Sequence, residues 1–103
     1  MANANARFGT KREHQVRDVL RDDDWLVIRT PGSKGAMDLI AIRDGDRPRL
    51  VQVKGTAAGP FSDFGPAARE KLRGEAKLGG ADALLAWWPK RGKLHWFDES
   101  EWP

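Results

Sequence analysis

Three side chains on two predicted neighbouring strands have the types and spacing of a hydrolytic cation site. Asp38 begins one strand, whereas Gln52 and Lys54 lie two residues apart on the next and project from the same sheet face. We predict that Arg43 pairs with Arg49 across the hairpin between these strands. Asp38 then falls opposite Lys54. Magnesium and manganese prefer carboxylate and amide oxygens, and a neighbouring lysine can hold or polarise an attacking water, so the pattern indicates metal-dependent phosphodiester hydrolysis.

A further carboxylate, Glu13, lies on the first predicted helix. Val16, Val19 and Leu20 have helical spacing. Glu13 shares the face of Val16 and Leu20, which aims its carboxylate toward the core. Glu13 also follows Thr10 by the spacing of a capping box, in which its carboxylate would turn back to the Thr10 amide. The sequence leaves both roles open.

The chain of 103 residues predicts one small α/β domain that spans residues 1–103. Turn residues divide it into elements in the order αβββαββ. The predicted elements are a helix that ends at residues 22–24, strands over 25–29, 37–43 and 49–54, a helix over 66–78, and strands over 83–88 and 93–97. The first strand is predicted to be buried, the second and third are antiparallel neighbours, and Gly79 and Gly80 close the second helix.

Composition excludes several classes of site. There is no cysteine, and the two histidines, His14 and His95, lie far apart in the sequence, so disulfides, thiol catalysis, iron–sulfur clusters and an ordinary structural zinc site are excluded. The first residues lack a signal-peptide core, and the longest apolar run, residues 83–88, is too short to cross a bilayer. We therefore expect a soluble, cytoplasmic protein without membrane contact.

The residues of the predicted cation site belong to a longer series of motifs that follow one another along the chain. Its members are Arg12-Glu13, Val27-Ile28-Arg29 with Ser33, the run from Gly35 to Ala41, the run from Leu50 to Gly55, and Gly80-Ala81-Asp82 before a hydrophobic strand. In this order they resemble the PD-(D/E)XK nucleases, and within them the small Holliday-junction resolvases of archaeal and phage type. The similarity covers most of the chain.

This resemblance implies a restriction-endonuclease-like fold, with a central mixed sheet flanked by helices. It also implies a structure-selective endonuclease of DNA recombination and repair, a homodimer that makes paired nicks in four-way DNA junctions with Mg²⁺, or Mn²⁺ in its place. The site residues that it implies are Asp38 as principal metal ligand, Gln52 with the Val53 carbonyl as a second ligand set, Lys54 as catalytic lysine, Glu13 as the completing carboxylate, and Ser33 and Arg29 facing the scissile strand.

Two residues depart from the family pattern. Gln52 stands where the commonest form has glutamate, and an amide adds no negative charge, so metal affinity should be lower. His14 follows Glu13 where archaeal resolvases have arginine, which affects a DNA contact more than the metal site. Two alternatives therefore stay open: another nuclease of the same fold, of flap, repair or restriction type, and a catalytically silent module that binds junctions.

Basic residues on several elements are candidates for contact with DNA phosphates. The net charge of +3 gives this interpretation only modest weight by itself. The candidates are Arg12, Arg29 and Lys34, the ridge of Arg69, Arg73 and Lys77 on the second helix, and the group of Lys90, Arg91 and Lys93 in the last hairpin. Phe61 and Phe64 lie in a predicted loop, where exposed rings would serve a dimer or junction contact.

Overall fold

The chain folds into a five-stranded sheet between two helices. A computed structural model describes residues 4–30 and 35–103. The elements are α1 (Ala4–Asp22), β1 (Leu26–Arg29), β2 (Leu39–Ile42), β3 (Arg49–Lys54), α2 (Pro66–Gly79), β4 (Asp82–Trp87), β5 (His95–Asp98) and a short 3-10 turn (Glu99–Glu101). The predicted order αβββαββ is confirmed. Neither helix in these ranges is long and apolar enough to cross a membrane.

The strands follow one another across the sheet in chain order, and β3–β4 is the parallel pair among otherwise antiparallel neighbours. Parallel neighbours need a long crossover, which α2 provides. Alternating side chains give each helix its own face of the sheet. On one face Val16 of α1 packs with Val51, and on the other Leu72 of α2 packs with Leu50 and Leu85. The predicted mixed sheet flanked by helices is confirmed.

The first strand was predicted to be buried, and this prediction is wrong. In the described ranges β1 pairs with β2 alone and so forms an edge of the sheet, whereas α2 packs against β3 and β4. Val27 is 5% exposed and belongs to the core beneath α1, but Leu26 and Ile28 point to the other face and are 63% and 47% exposed. Val19, at 39% exposure, likewise lies outside the core stripe of α1.

The hairpin between β2 and β3 has a register that differs by two residues from the predicted one. Ala41, not Arg43, is the partner of Arg49. Arg43 belongs to the turn, where its carbonyl accepts a hydrogen bond of 3.2 Å from the Asp46 N–H and its Nε donates to the Asp46 carboxylate at 2.8 Å. A shift of two residues keeps every side chain on its predicted face. Before Leu39 the register is irregular, because the Asp38 N–H donates at 2.8 Å to the carbonyl of Val51, the partner of Leu39. Asp38 therefore lies beside Val51 and not opposite Lys54 as predicted.

The two phenylalanines of the loop after β3 pack with the core, Phe64 within it and Phe61 partly buried against it, so neither is a freely exposed ring. Phe64 is fully buried and meets Trp102 edge to face, with 5.0 Å between ring centroids. Phe61 packs in the same manner against Phe97 at 5.3 Å. These contacts complete the core on the face of the sheet that α2 covers.

Substitution of two glycines, one within α2 and one directly after it, should change the stability of the protein in opposite directions. Gly80 has a left-handed backbone with φ of 62°, which disfavours a side chain, so Gly80→Ala should lower the free energy of unfolding by about 1 kcal/mol. Gly74 lies inside the helix with nothing within 4 Å of an added Cβ. Gly74→Ala should therefore raise the free energy by about 0.5–1 kcal/mol. Chemical denaturation measures both, and equal shifts of one sign would contradict the assignment of the helix end.

Candidate active site

A cleft of about 660 Å³ lies where α1, β2 and β3 meet the loop that follows β3. It brings together the predicted catalytic residues that the structure describes: Glu13, Asp38, Gln52, Val53 and Lys54. The two other candidates of this region, Ser33 and Lys34, lie outside the described residues. The cleft therefore joins an α1 carboxylate to the polar ends of two strands.

Asp38 is held from both neighbouring strands at the point where β2 begins. Its N–H donates to the Val51 carbonyl at 2.8 Å, and its carbonyl accepts from the Thr30 N–H at 2.9 Å. Its carboxylate accepts the N–H of Val53 at 2.8 Å. The regular ladder of β2 with β3 begins at Leu39. At this level the Asp38 side chain therefore takes the place of a main-chain carbonyl as the acceptor for the Val53 N–H. The carboxylate is thereby fixed beside β3.

Burial in the cleft wall raises the pKa of the Asp38 carboxyl to about 6. The hydrogen bond from Val53 opposes this shift, and the charge of Glu13 reinforces it. The positive charges of Lys54 and Arg29 lower the pKa in turn. The Asp38 carboxylate therefore lies in a partly desolvated place beside a second carboxylate, an arrangement that disfavours its charge.

The structure decides between the two roles left open for Glu13. The helix α1 begins at Ala4, so Thr10 lies within it and has no free first-turn amide to receive the carboxylate. Glu13 instead accepts a hydrogen bond of 2.9 Å from Nε of Arg29, and its side chain is 19% exposed. The ion pair links α1 to the end of β1 and keeps the carboxylate at the cleft.

The donor set of the cleft fits a hard divalent cation. Residues of a strand point their N–H and C=O groups to one side, and the Val53 N–H points toward Asp38, so the Val53 carbonyl faces the same edge. No group of three or more carboxylate or histidine side chains is clustered for a metal in the described ranges. The available oxygens come from Asp38, Glu13, the Gln52 amide and the Val53 carbonyl, and oxygens of this kind suit magnesium or manganese.

Arg12 does not have the position that was predicted for a DNA contact. It is 6% exposed, and its guanidinium lies between the rings of Phe8 and Trp88, with Cζ 4.8 and 4.7 Å from their centroids. Nη2 donates to the Pro89 carbonyl at 2.8 Å, and Nη1 donates to Gln15 at 2.7 Å. This burial also lowers the pKa of Arg12. Its place between α1 and the β4–β5 turn keeps it from a surface phosphate.

The basic ridge on α2 lies away from the cleft. Arg69 donates to the Phe64 carbonyl at 3.2 Å, and Arg73 pairs with Glu70 at 2.9 Å while its guanidinium covers the ring of Trp102. Lys77 is exposed in the last turn of the helix. None of the three ridge cations lines the cleft as the described ranges form it. Their contacts with DNA stay predictions.

Sequence reasoning did not single out several residues that line the cleft. Asp63 comes from the loop after β3, and nothing in its sequence surroundings marks it. Phe8 closes against Gly55, where an added Cβ would lie 2.5 Å from its ring. Lys90 was predicted only as one of three basic residues in the last hairpin, and its place at the cleft depends on the turn conformation.

The comparison with known proteins agrees with this geometry. The family model described as archaeal Holliday junction resolvase matches residues 4–101. No curated protein matches the chain. Among solved structures, the 1.6 Å structure of Archaeoglobus fulgidus Hjc, a Holliday junction resolvase from an archaeal hyperthermophile, is similar with a TM-score of 0.71 and 25% identity. The match covers 87% of this chain and 71% of that one. Since the family model spans nearly the whole sequence, the chain belongs to the archaeal Holliday junction resolvase family.

Proposed function

We propose that this chain is a divalent-metal-dependent endonuclease that makes paired nicks in four-way DNA junctions by hydrolysis of phosphodiester bonds. The observation that carries the proposal is the Asp38 carboxylate, fixed by the Val53 N–H in a cleft shared with Glu13, Gln52 and Lys54. Membership of the resolvase family supports an endonuclease that acts on branched DNA.

The residues of the cleft have distinct roles in this proposal. Asp38, Glu13, the Gln52 amide and the Val53 carbonyl would hold Mg²⁺, or Mn²⁺ as a substitute. When bound, such an ion polarises a phosphate and acidifies a water. Lys54 lies on the face of Gln52, where its ammonium orients a water nucleophile and offsets the negative charge that develops on the phosphate. Arg29 holds Glu13 in place through their ion pair.

We further propose that the protein acts as a homodimer through the outer face of β1 and β2. Leu26 and Ile42 are opposite each other in the register, and together with Ile28 they expose apolar side chains by 63%, 41% and 47%. Adjacent exposed apolar residues on one sheet face are typical of an interaction surface. A two-fold dimer would present two identical sites to the related strands of a symmetric junction, which paired incision requires.

Asp38→Asn tests the catalytic assignment. The amide keeps the size of the carboxylate and an oxygen for the Val53 N–H but removes the charge, so cleavage should fall by at least about 100-fold. Junction affinity and thermal unfolding should change little. Labelled immobile junction, flap and duplex, each with Mg²⁺, Mn²⁺ or EDTA, provide the measurement. Asp44→Asn, in the exposed hairpin turn, is the control of equal charge.

The substrates separate the proposal from its alternatives. Paired, metal-dependent nicks confined to the junction support a resolvase. Equal cutting of flap or duplex would favour another nuclease of this fold, and junction binding without cutting in either metal would favour a silent binding module. Retained cleavage by pure Asp38→Asn would contradict the metal-site assignment.

Gln52→Glu tests the weakened ligand set. The substitution adds a negative charge among the proposed oxygen ligands, so the Mg²⁺ concentration for half-maximal cleavage should fall by roughly tenfold at about pH 8. Gln52→Ala removes the oxygen and should raise that concentration. Metal titrations of initial cleavage rates measure both variants. An unchanged Mg²⁺ requirement in the two variants would show that residue 52 is not a ligand.

Ile28→Glu tests the dimer surface. A charge in the centre of the apolar face should shift the protein to a monomer, because a buried unpaired carboxylate disfavours association. Leu78→Glu is the matched control, since Leu78 is 86% exposed on α2. Sedimentation velocity measures the state of each protein. Dissociation by the Leu78 variant, or a dimer that survives Ile28→Glu, would place the interface elsewhere.

A further inference from the structure

Lys90 differs from the other basic residues of the last hairpin in where it lies. Of Lys90, Arg91 and Lys93, only Lys90 lines the cleft formed by the described ranges. The turn that carries Lys90 is tied to the catalytic strand, because the Trp88 N–H donates to the Lys54 carbonyl at 2.8 Å. Two residues of chain reach at most about 7 Å, so the backbone of Lys90 stays near the end of β3.

The buried guanidinium of Arg12 sets the conformation of this turn. The Pro89 carbonyl accepts a hydrogen bond from Nη2 of Arg12 at 2.8 Å and another from the Gly92 N–H at 3.1 Å. The ring of Trp88, directly before Pro89, covers the guanidinium. Arg12 therefore contacts both residues that precede Lys90, the ring of Trp88 and the carbonyl of Pro89.

The surroundings of Arg12 are unfavourable for a residue that only fills space. Among the described residues its hydrogen-bond partners are the Pro89 carbonyl and the Gln15 amide, which are both neutral, and its Nε is buried without a partner. In the ranges that the structure describes, two aromatic faces and neutral acceptors surround the guanidinium, so its burial has a desolvation cost that an apolar side chain of similar volume would not have. What the buried Arg12 does provide is a fixed position for the β4–β5 turn, through its hydrogen bond to the Pro89 carbonyl.

The charge of the cleft shows why a cation is useful there. Three carboxylates, those of Glu13, Asp38 and Asp63, line it, and each repels the phosphate backbone of DNA. Lys54 and Lys90 are the lysines that line the cleft in the described ranges. Since Lys54 belongs to the catalytic cluster, Lys90 is the group that is available to hold a phosphate next to the cleaved one.

We propose that Lys90 contacts a backbone phosphate of the DNA substrate at the cleft, and that Arg12 is a positioning residue that holds Lys90 there through the Pro89 carbonyl. The inference rests on the proposed function, because its ligand is the backbone of the same junction. It adds a binding residue and a means of placing it, both independent of the metal.

The test of Lys90 is junction binding in EDTA as a function of salt. A lost phosphate contact reduces the slope of log affinity against log salt by about 0.9, so Lys90→Gln should show this change and a several-fold loss of affinity between about 50 and 200 mM salt. Arg21→Gln removes a charge of the same sign from the exposed last turn of α1, which does not line the cleft, and should leave the slope unchanged. Equal slopes in wild type and Lys90→Gln, or equal losses in both variants, would overturn the contact.

A double-variant cycle tests Arg12. Arg12→Met should reduce affinity and slope as Lys90→Gln does, and the double variant should bind no more weakly than Lys90→Gln alone. Arg12→Lys, which keeps a cation and a donor for Pro89, should restore part of the affinity and serves if the methionine variant does not fold. Additive losses, or no loss with either Arg12 variant, would overturn the positioning role.

These measurements separate the inference from the proposed function. Wild-type protein that binds junctions in EDTA but never cuts them would refute the nuclease while leaving the Lys90 contact standing. Wild-type protein that binds no junction would refute both. Cleavage with an unchanged salt slope in Lys90→Gln would refute the contact alone.

Discussion

The hydrogen bond from the Val53 N–H to the Asp38 carboxylate is the interaction on which the site depends. At this point the ladder between β2 and β3 is irregular, and a main-chain donor of β3 needs an acceptor. The acid satisfies that donor, so the requirement that completes the sheet also fixes a charge at its end. The Val53 carbonyl then faces the same side, and Gln52 and Lys54 follow from the alternation of the strand.

The carboxylates of Asp38 and Glu13 repel each other at this end of the sheet, and packing does not remove that repulsion. Burial and the Glu13 charge raise the pKa of Asp38, and Lys54 and Arg29 compensate in part. Arg29 also occupies one oxygen of Glu13. Such a group of carboxylates does not favour stability, and perturbed acids of this kind are typical of functional sites.

Much of the site could be predicted because side-chain alternation tolerates an error of two residues. The hairpin register was wrong, yet Asp38, Gln52 and Lys54 still line one cleft. Features that depend on distant packing were not accessible in this way. Nothing local shows that β1 is an edge strand, because this follows from where α2 lies, and the burial of Arg12 depends on a turn far along the chain. The role of Glu13 depended on where α1 begins.

The sheet topology also bears on the order in which the protein folds. The antiparallel β1–β2–β3 meander joins segments that are close in the sequence, whereas the parallel pairing of Arg49 with Asp82 must wait for the crossover through α2. Short loops close at a smaller entropic cost and form contacts sooner. The strand residues of the cleft thus belong to the segment with the shortest loops, and the turn with Lys90 joins them after the crossover. A nascent chain would form the polar strand ends of the cleft before the turn that borders them.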